Sequence, residues 1–176
     1  MISFTCSHGL ARAALAVPPL QLDTELTLHA QSLANLYASK DGGLQRPYDR
    51  SGYEDGINIV RLFCSNDAMT QASKLWEREK CIWENGKTGR RYEKKEAHWY
   101  GHFTQMVWSE TRKFGIAAAQ AKSGRWYVVA KYRPAGNHAG EQPYPVLDSK
   151  KGSKGKGAKL KSGLLGLERA LLCSPS

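Results

Sequence analysis

No run of about 18 apolar residues occurs in this chain, so no transmembrane helix is predicted. The apolar N-terminal stretch has no basic region before it and is interrupted by Arg12, so it is not read as a signal peptide. Residue 2 is Ile rather than Gly, which excludes an N-myristoylation signal. Cysteine is scarce: Cys6, Cys64, Cys81 and Cys173 show no CxxC or metal-ligand spacing. That usage points to a reduced compartment, with one disulfide left open. There is no G-x-S-x-G nucleophile motif, and HWYGH (98–102) lacks the Glu of a zincin helix. Internal repeats are absent. Aromatics are not, and a chain of 176 residues carrying so many can bury a core.

Positive charge is in excess but unevenly placed. The net charge is +10. From Asp148 onward Lys150, Lys151, Lys154, Lys156, Lys159, Lys161 and Arg169 stand against Asp148 and Glu168, a net +5. The chain is therefore divided into a domain, 1–147, and a disordered, Gly/Ser-spaced basic tail, 148–176, ending in a short leucine-faced segment. The six tail lysines suit an anionic membrane surface, and Cys173 beside the leucines suits reversible acylation. A second basic stretch interleaves Lys87, Arg90, Arg91, Lys94 and Lys95 with Tyr92, Trp99 and Tyr100. It carries no recognition-module signature, so a solvated loop is preferred over nucleic-acid binding.

Periodicity supplies the elements. Residues 23–39 predict an amphipathic helix capped by Asp23, with Leu26, Ala30, Leu33, Ala34 and Tyr37 on one face and His29 partly buried. Residues 67–83 predict a second helix, with Ala72, Leu75, Trp76, Glu79 and Ile82/Trp83 near one stripe. Residues 114–132 read as a β-hairpin turning at Ser123-Gly124. Its second arm puts Trp126, Val128, Ala130 and Tyr132 on one face and Tyr127, Val129 and Lys131 on the other. Pro134 and Gly136 end that strand.

The motif GHFTQMVW (101–108), followed by this hairpin with YVVAKYRPAGN (127–137), resembles the CAP superfamily of cysteine-rich secretory, antigen 5 and pathogenesis-related proteins. Within it, Ala130 stands where secreted relatives have a cysteine, as in the Golgi-associated branch. His8, Arg12 and Val17-Pro18-Pro19-Leu20 match the family's first helix and loop, and LWERE (75–79) resembles its W-Y-x-E.

The resemblance implies an α+β fold, a three-layer α-β-α sandwich with a small antiparallel sheet. It also implies a cavity of two histidines and two acidic residues able to hold a divalent cation. His102 and Glu79 align with two of the four. Ile57 stands at the usual second glutamate, and 44–52 contains no histidine. No tight zinc site, and no cofactor, is therefore expected. The function implied is a non-enzymatic binding module for lipids (sterol, fatty acid or anionic phospholipid) at the cytoplasmic, Golgi-like face of membranes, with a homodimer in view. The alternative is a secreted, extracellular defence- or toxin-like ligand. The third is a hydrolase using His102 and Glu79 with Ser109 or Thr104.

Overall fold

Asp23 starts the longest helix, its side chain accepting from the Leu26 N–H at 3.0 Å. That helix, α2 (Thr24–Lys40), ends where Asp41 adopts a left-handed conformation and its N–H returns to the Tyr37 carbonyl. The computed structural model describes residues 3–44, 55–63, 65–84 and 90–145. Within them, α1 (Ser3–Ala13) and a two-residue strand β1 (Gln21–Leu22) precede α2. After it come β2 (Gly56–Leu62), α3 (Ala68–Arg78), the short α4 (Lys80–Glu84), α5 (Ala97–Met106), and the hairpin strands β3 (Lys113–Gln120) and β4 (Trp126–Arg133). The basic tail, its six lysines and Cys173 lie outside the described residues.

The sheet order is β1-β3-β4-β2. β3, β4 and β2 are antiparallel neighbours, but β1 pairs parallel to β3 through Gln21–Lys113 and Leu22–Phe114. The sheet is thus mixed rather than purely antiparallel, because the chain enters α2 by first running beside β3. The hairpin turn is where the sequence puts it, with Gly124 at φ 87°.

Alternation in the hairpin separates two cores. Phe114, Ile116, Val128, Ala130 and Tyr132 pack with Trp76, Phe103, Met106 and Trp108 on one side. Ala117, Tyr127 and Val129 pack with Ala30, Ala34 and Tyr37 of α2 on the other. This is the expected three-layer arrangement. His29 is exposed rather than partly buried, since it falls on the solvent side of the α2 stripe. Close approach of α2 depends on Gly115, where a Cβ would lie 2.2 Å from the Thr27 nitrogen and 2.4 Å from the Leu26 carbonyl carbon.

The predicted helix 67–83 is broken at Glu79. Asp67 caps its start as an acceptor for the Thr70 N–H at 3.2 Å. At Glu79 the backbone tightens, its N–H reaching the Trp76 carbonyl at 3.3 Å, and α4 begins anew. The apolar spacing through Trp83 hides this break, which follows from what the Glu79 side chain holds.

Candidate functional site: the His102–Glu79 pair

Glu79 lies at the joint between α3 and α4, facing the middle of α5. Its Oε2 accepts the backbone N–H of His102 at 2.9 Å and of Phe103 at 3.1 Å. Its Oε1 lies 2.6 Å from His102 Nδ1. A carboxylate oxygen accepts hydrogen bonds. The ring nitrogen facing it must therefore carry a proton, so neutral His102 is the Nδ1–H tautomer with its lone pair on Nε2. The His102 side chain is 28% exposed and that of Glu79 17%. The imidazole is thus oriented from within while part of it meets solvent.

The ring has a fixed backing. Trp76 stacks on it, centroids 6.0 Å apart and planes 22° from parallel. Asn58 Nδ2, on β2, donates to the His102 carbonyl at 3.0 Å and to the Tyr132 hydroxyl at 3.2 Å. Tyr132 is wholly buried, and that burial pushes its phenol far above the usual range, so it stays a neutral donor. Its hydroxyl, which accepts from Asn58, also hydrogen-bonds His8 Nε2 at 2.8 Å. Side chains from α1, β4 and β2 thereby fix the position of α5.

Arg12 fixes the far end of α5. It is fully buried. Its guanidinium donates to the carbonyls of Pro18 at 2.6 Å, Met106 at 3.1 Å, Trp108 at 2.9 Å and Thr111 at 2.9 Å. Burial, and then the nearby Arg112, lower its pKa to about 10, which leaves it charged at neutral pH. A cation among the last carbonyls of a helix satisfies groups that have no partner within it.

Several sequence candidates fall elsewhere. The Thr104 hydroxyl is buried and directed at Asn137 Oδ1, 2.7 Å away. Among the described residues no hydroxyl or thiol hydrogen-bonds His102, the contact that a Ser–His–Glu arrangement is recognised by. His98 shares α5 with His102 but is exposed, its ring tilted 44° against that of the exposed Trp99, centroids 4.7 Å apart. Ile57 packs in the α2-side core, on the opposite face of β2 from Asn58. Arg90 is stacked over Trp83 and Tyr100 at 5.2 and 4.4 Å and ion-paired to Glu96. Tyr92 and Tyr100 are buried, so the basic–aromatic stretch is partly core and does not form an open stacking platform.

The described residues do not fit a tight zinc site. Zinc takes three or four protein ligands. No group of three His, Cys, Asp or Glu suited to a metal occurs among the described residues. Both Glu79 oxygens already take part in hydrogen bonds, and His102 Nε2 is the ring nitrogen the pair leaves open.

Comparison with known proteins places this architecture. The pattern of the CAP cysteine-rich secretory protein family matches residues 8–132. The chain belongs to the CAP family. Its relatives include Secreted protein RBT4 of Candida albicans, 36% identical over 139 residues, covering 78% of this chain. This chain spans only 35% of that protein's length. Pathogenesis-related protein 1A of Nicotiana tabacum is 31% identical over 140 residues, covering 78% of this chain and 77% of that protein. Among solved structures, NaASP2 with Zn2+ superposes with a TM-score of 0.64 at 28% identity, covering 81% of this chain and 83% of that one. These similarities support the CAP reading in general and the pathogenesis-related class, and do not single out the Golgi-associated branch.

The sequence pointed to His102 and Glu79 through the motif alone. It gave no sign of Asn58, Tyr132 or Trp76 as supports. The inward alternation of Tyr132 in the hairpin was the one available signal.

Proposed function

We propose that this chain is an extracellular, non-catalytic binding module of the pathogenesis-related CAP type, presenting His102 Nε2 to a polar ligand group. The observation that carries this is the engagement of Glu79, whose oxygens accept two backbone N–H groups and face the imidazole. Glu79 is then an orienting group, and the imidazole a fixed acceptor with no hydroxyl or thiol hydrogen-bonded to it among the described residues. The extracellular part rests on the relatives, one of them named a secreted protein and another a pathogenesis-related protein. They favour that reading over the cytoplasmic, Golgi-like face that the resemblance implied.

Native mass spectrometry after exposure to a cell lipid and metabolite extract tests the binding role. A retained small-molecule adduct that disappears in His102→Ala supports it. Fluorophosphonate labelling of a serine that requires His102 overturns the non-catalytic part.

A further inference from the structure

β2 ends at Leu62, opposite Trp126 on the hairpin, and the next residue turns its side chain outward. Phe63 is 71% exposed, the most exposed large apolar side chain among the described residues. It is flanked by charge. The guanidinium carbons of Arg61 and Arg125 lie 5.6 and 5.8 Å from its ring centroid, within cation–π range. Arg61 Nη1 is tied to the Gly42 carbonyl at 3.1 Å. Arg125 Nη1 lies 3.5 Å from Asp41 Oδ1, which also accepts from Ser123 at 2.8 Å. Lys122 is exposed in the adjoining turn. Counting Arg61, Lys122 and Arg125 against Asp41, the local charge is +2. Asp67 is engaged in capping α3.

We propose that Phe63, with its collar of Arg61, Lys122 and Arg125, is an anionic-membrane contact built into the folded domain. A protein partner calls for a broad, well-packed apolar surface or a groove around its anchor. Here one ring projects from a cationic rim, which suits a fluid interface. The ring enters the boundary between headgroups and acyl chains, while the guanidiniums stay at phosphate level on their apolar stems. The two arginines are already held beside the ring, so little side-chain freedom is lost on docking. The patch lies about 16 Å along β2 from Asn58, at the strand's other end. It is separate from the His102 site and does not depend on which ligand that site takes.

The test is sedimentation of the full chain with vesicles of phosphatidylcholine and phosphatidylglycerol, and with vesicles of phosphatidylcholine alone. All arms are run in a full-length background whose six tail lysines, 150 to 161, are changed to Gln. This background is expected to bind the anionic vesicles and not the neutral ones. Phe63→Ala should bind about tenfold more weakly. Arg61→Gln and Arg125→Gln should each weaken binding about fivefold and flatten its dependence on salt. Phe63 is a surface residue, and an unchanged thermal midpoint confirms that the variant is folded. Equal binding by Phe63→Ala and its parent, or no binding by the parent, overturns the proposal. Loss on arginine substitution without loss in Phe63→Ala also overturns it, since that outcome describes a site for soluble polyanions.

Discussion

Glu79 Oε1 lies 2.6 Å from His102 Nδ1, and the other oxygen of that carboxylate holds the N–H groups of His102 and Phe103. One side chain thereby sets the imidazole tautomer and joins α5 to the α3–α4 joint. Glu79→Ala should leave two part-buried amides without their acceptor. Each such loss costs about 1–3 kcal/mol, measured by denaturant unfolding. Nitrogen chemical shifts of His102 should show Nδ1–H dominant at high pH in the parent, and a shift toward Nε2–H in Glu79→Ala. An unchanged tautomer in that variant would mean that Glu79 does not orient the ring.

The same residue shows where sequence reading stops. The 3.6-residue stripe through Ala72, Trp76 and Trp83 was legible, whereas the Asp67 cap was not singled out. The break at Glu79 was not, because it arises from hydrogen bonds to α5, more than twenty residues away in sequence. The two faces of β4 were legible from period-2 alternation, and the Asp23 cap from residue type. β2 was not recognised as a strand. Its Ile57 and Asn58 were seen only as a motif, so Ile57 was placed at a cavity position when it packs against the α2-side core. The parallel pairing of β1 spans only two residues, too few to leave a pattern.

Gly115 bears on the layer spacing. A side chain there meets α2 backbone, the Thr27 nitrogen and the Leu26 carbonyl carbon, and neither can rotate away. Gly115→Ala should force α2 outward and cost about 1–3 kcal/mol or more. Thermal unfolding checks this. A midpoint equal to the parent's would show that α2 does not pack as closely as described.

Asp55 makes stability depend on pH. Burial by itself raises its pKa, but hydrogen bonds and charge from Arg133 and Lys131 outweigh that and hold it below the usual carboxylate value. Arg133 Nε donates at 2.6 Å and Lys131 Nζ lies at 3.2 Å. A carboxylate depressed on folding contributes stability above its unfolded pKa of about 3.9, lost as pH falls through the lower folded value. Asp55→Asn should therefore be less stable than the parent at pH 7, by about 1–3 kcal/mol. The gap should narrow as pH falls below about 4, where Asp55 takes up a proton in the unfolded chain before it does in the folded one. A gap that stays constant across that range would remove Asp55 from the acid response.

Zinc is expected to bind weakly, because His102 Nε2 is the ring nitrogen the pair leaves open and the described residues supply no three-ligand group. Isothermal titration should show no stoichiometric site with a Kd below about 1 μM, the range of a well-formed site. A tight site lost in His102→Ala would require further ligands from outside the described residues.

Arg12 provides the sharpest test of how the site is supported from a distance. It is fully buried, and its guanidinium donates to four carbonyls: those of Pro18, Met106, Trp108 and Thr111. Lysine has the charge but not the planar fork, so it cannot reach them all from one position. Arg12→Lys should orphan at least one carbonyl, at about 1–3 kcal/mol, and Arg12→Met should cost more. The consequence should extend to His102, since Met106 ends the helix that carries it and Trp108 lies just beyond. Amide hydrogen exchange should quicken first in the last turn of α5 in Arg12→Lys, with smaller changes in α2. Faster exchange spread evenly over both layers would indicate a general loss of stability, and Arg12 would then have no specific hold on α5.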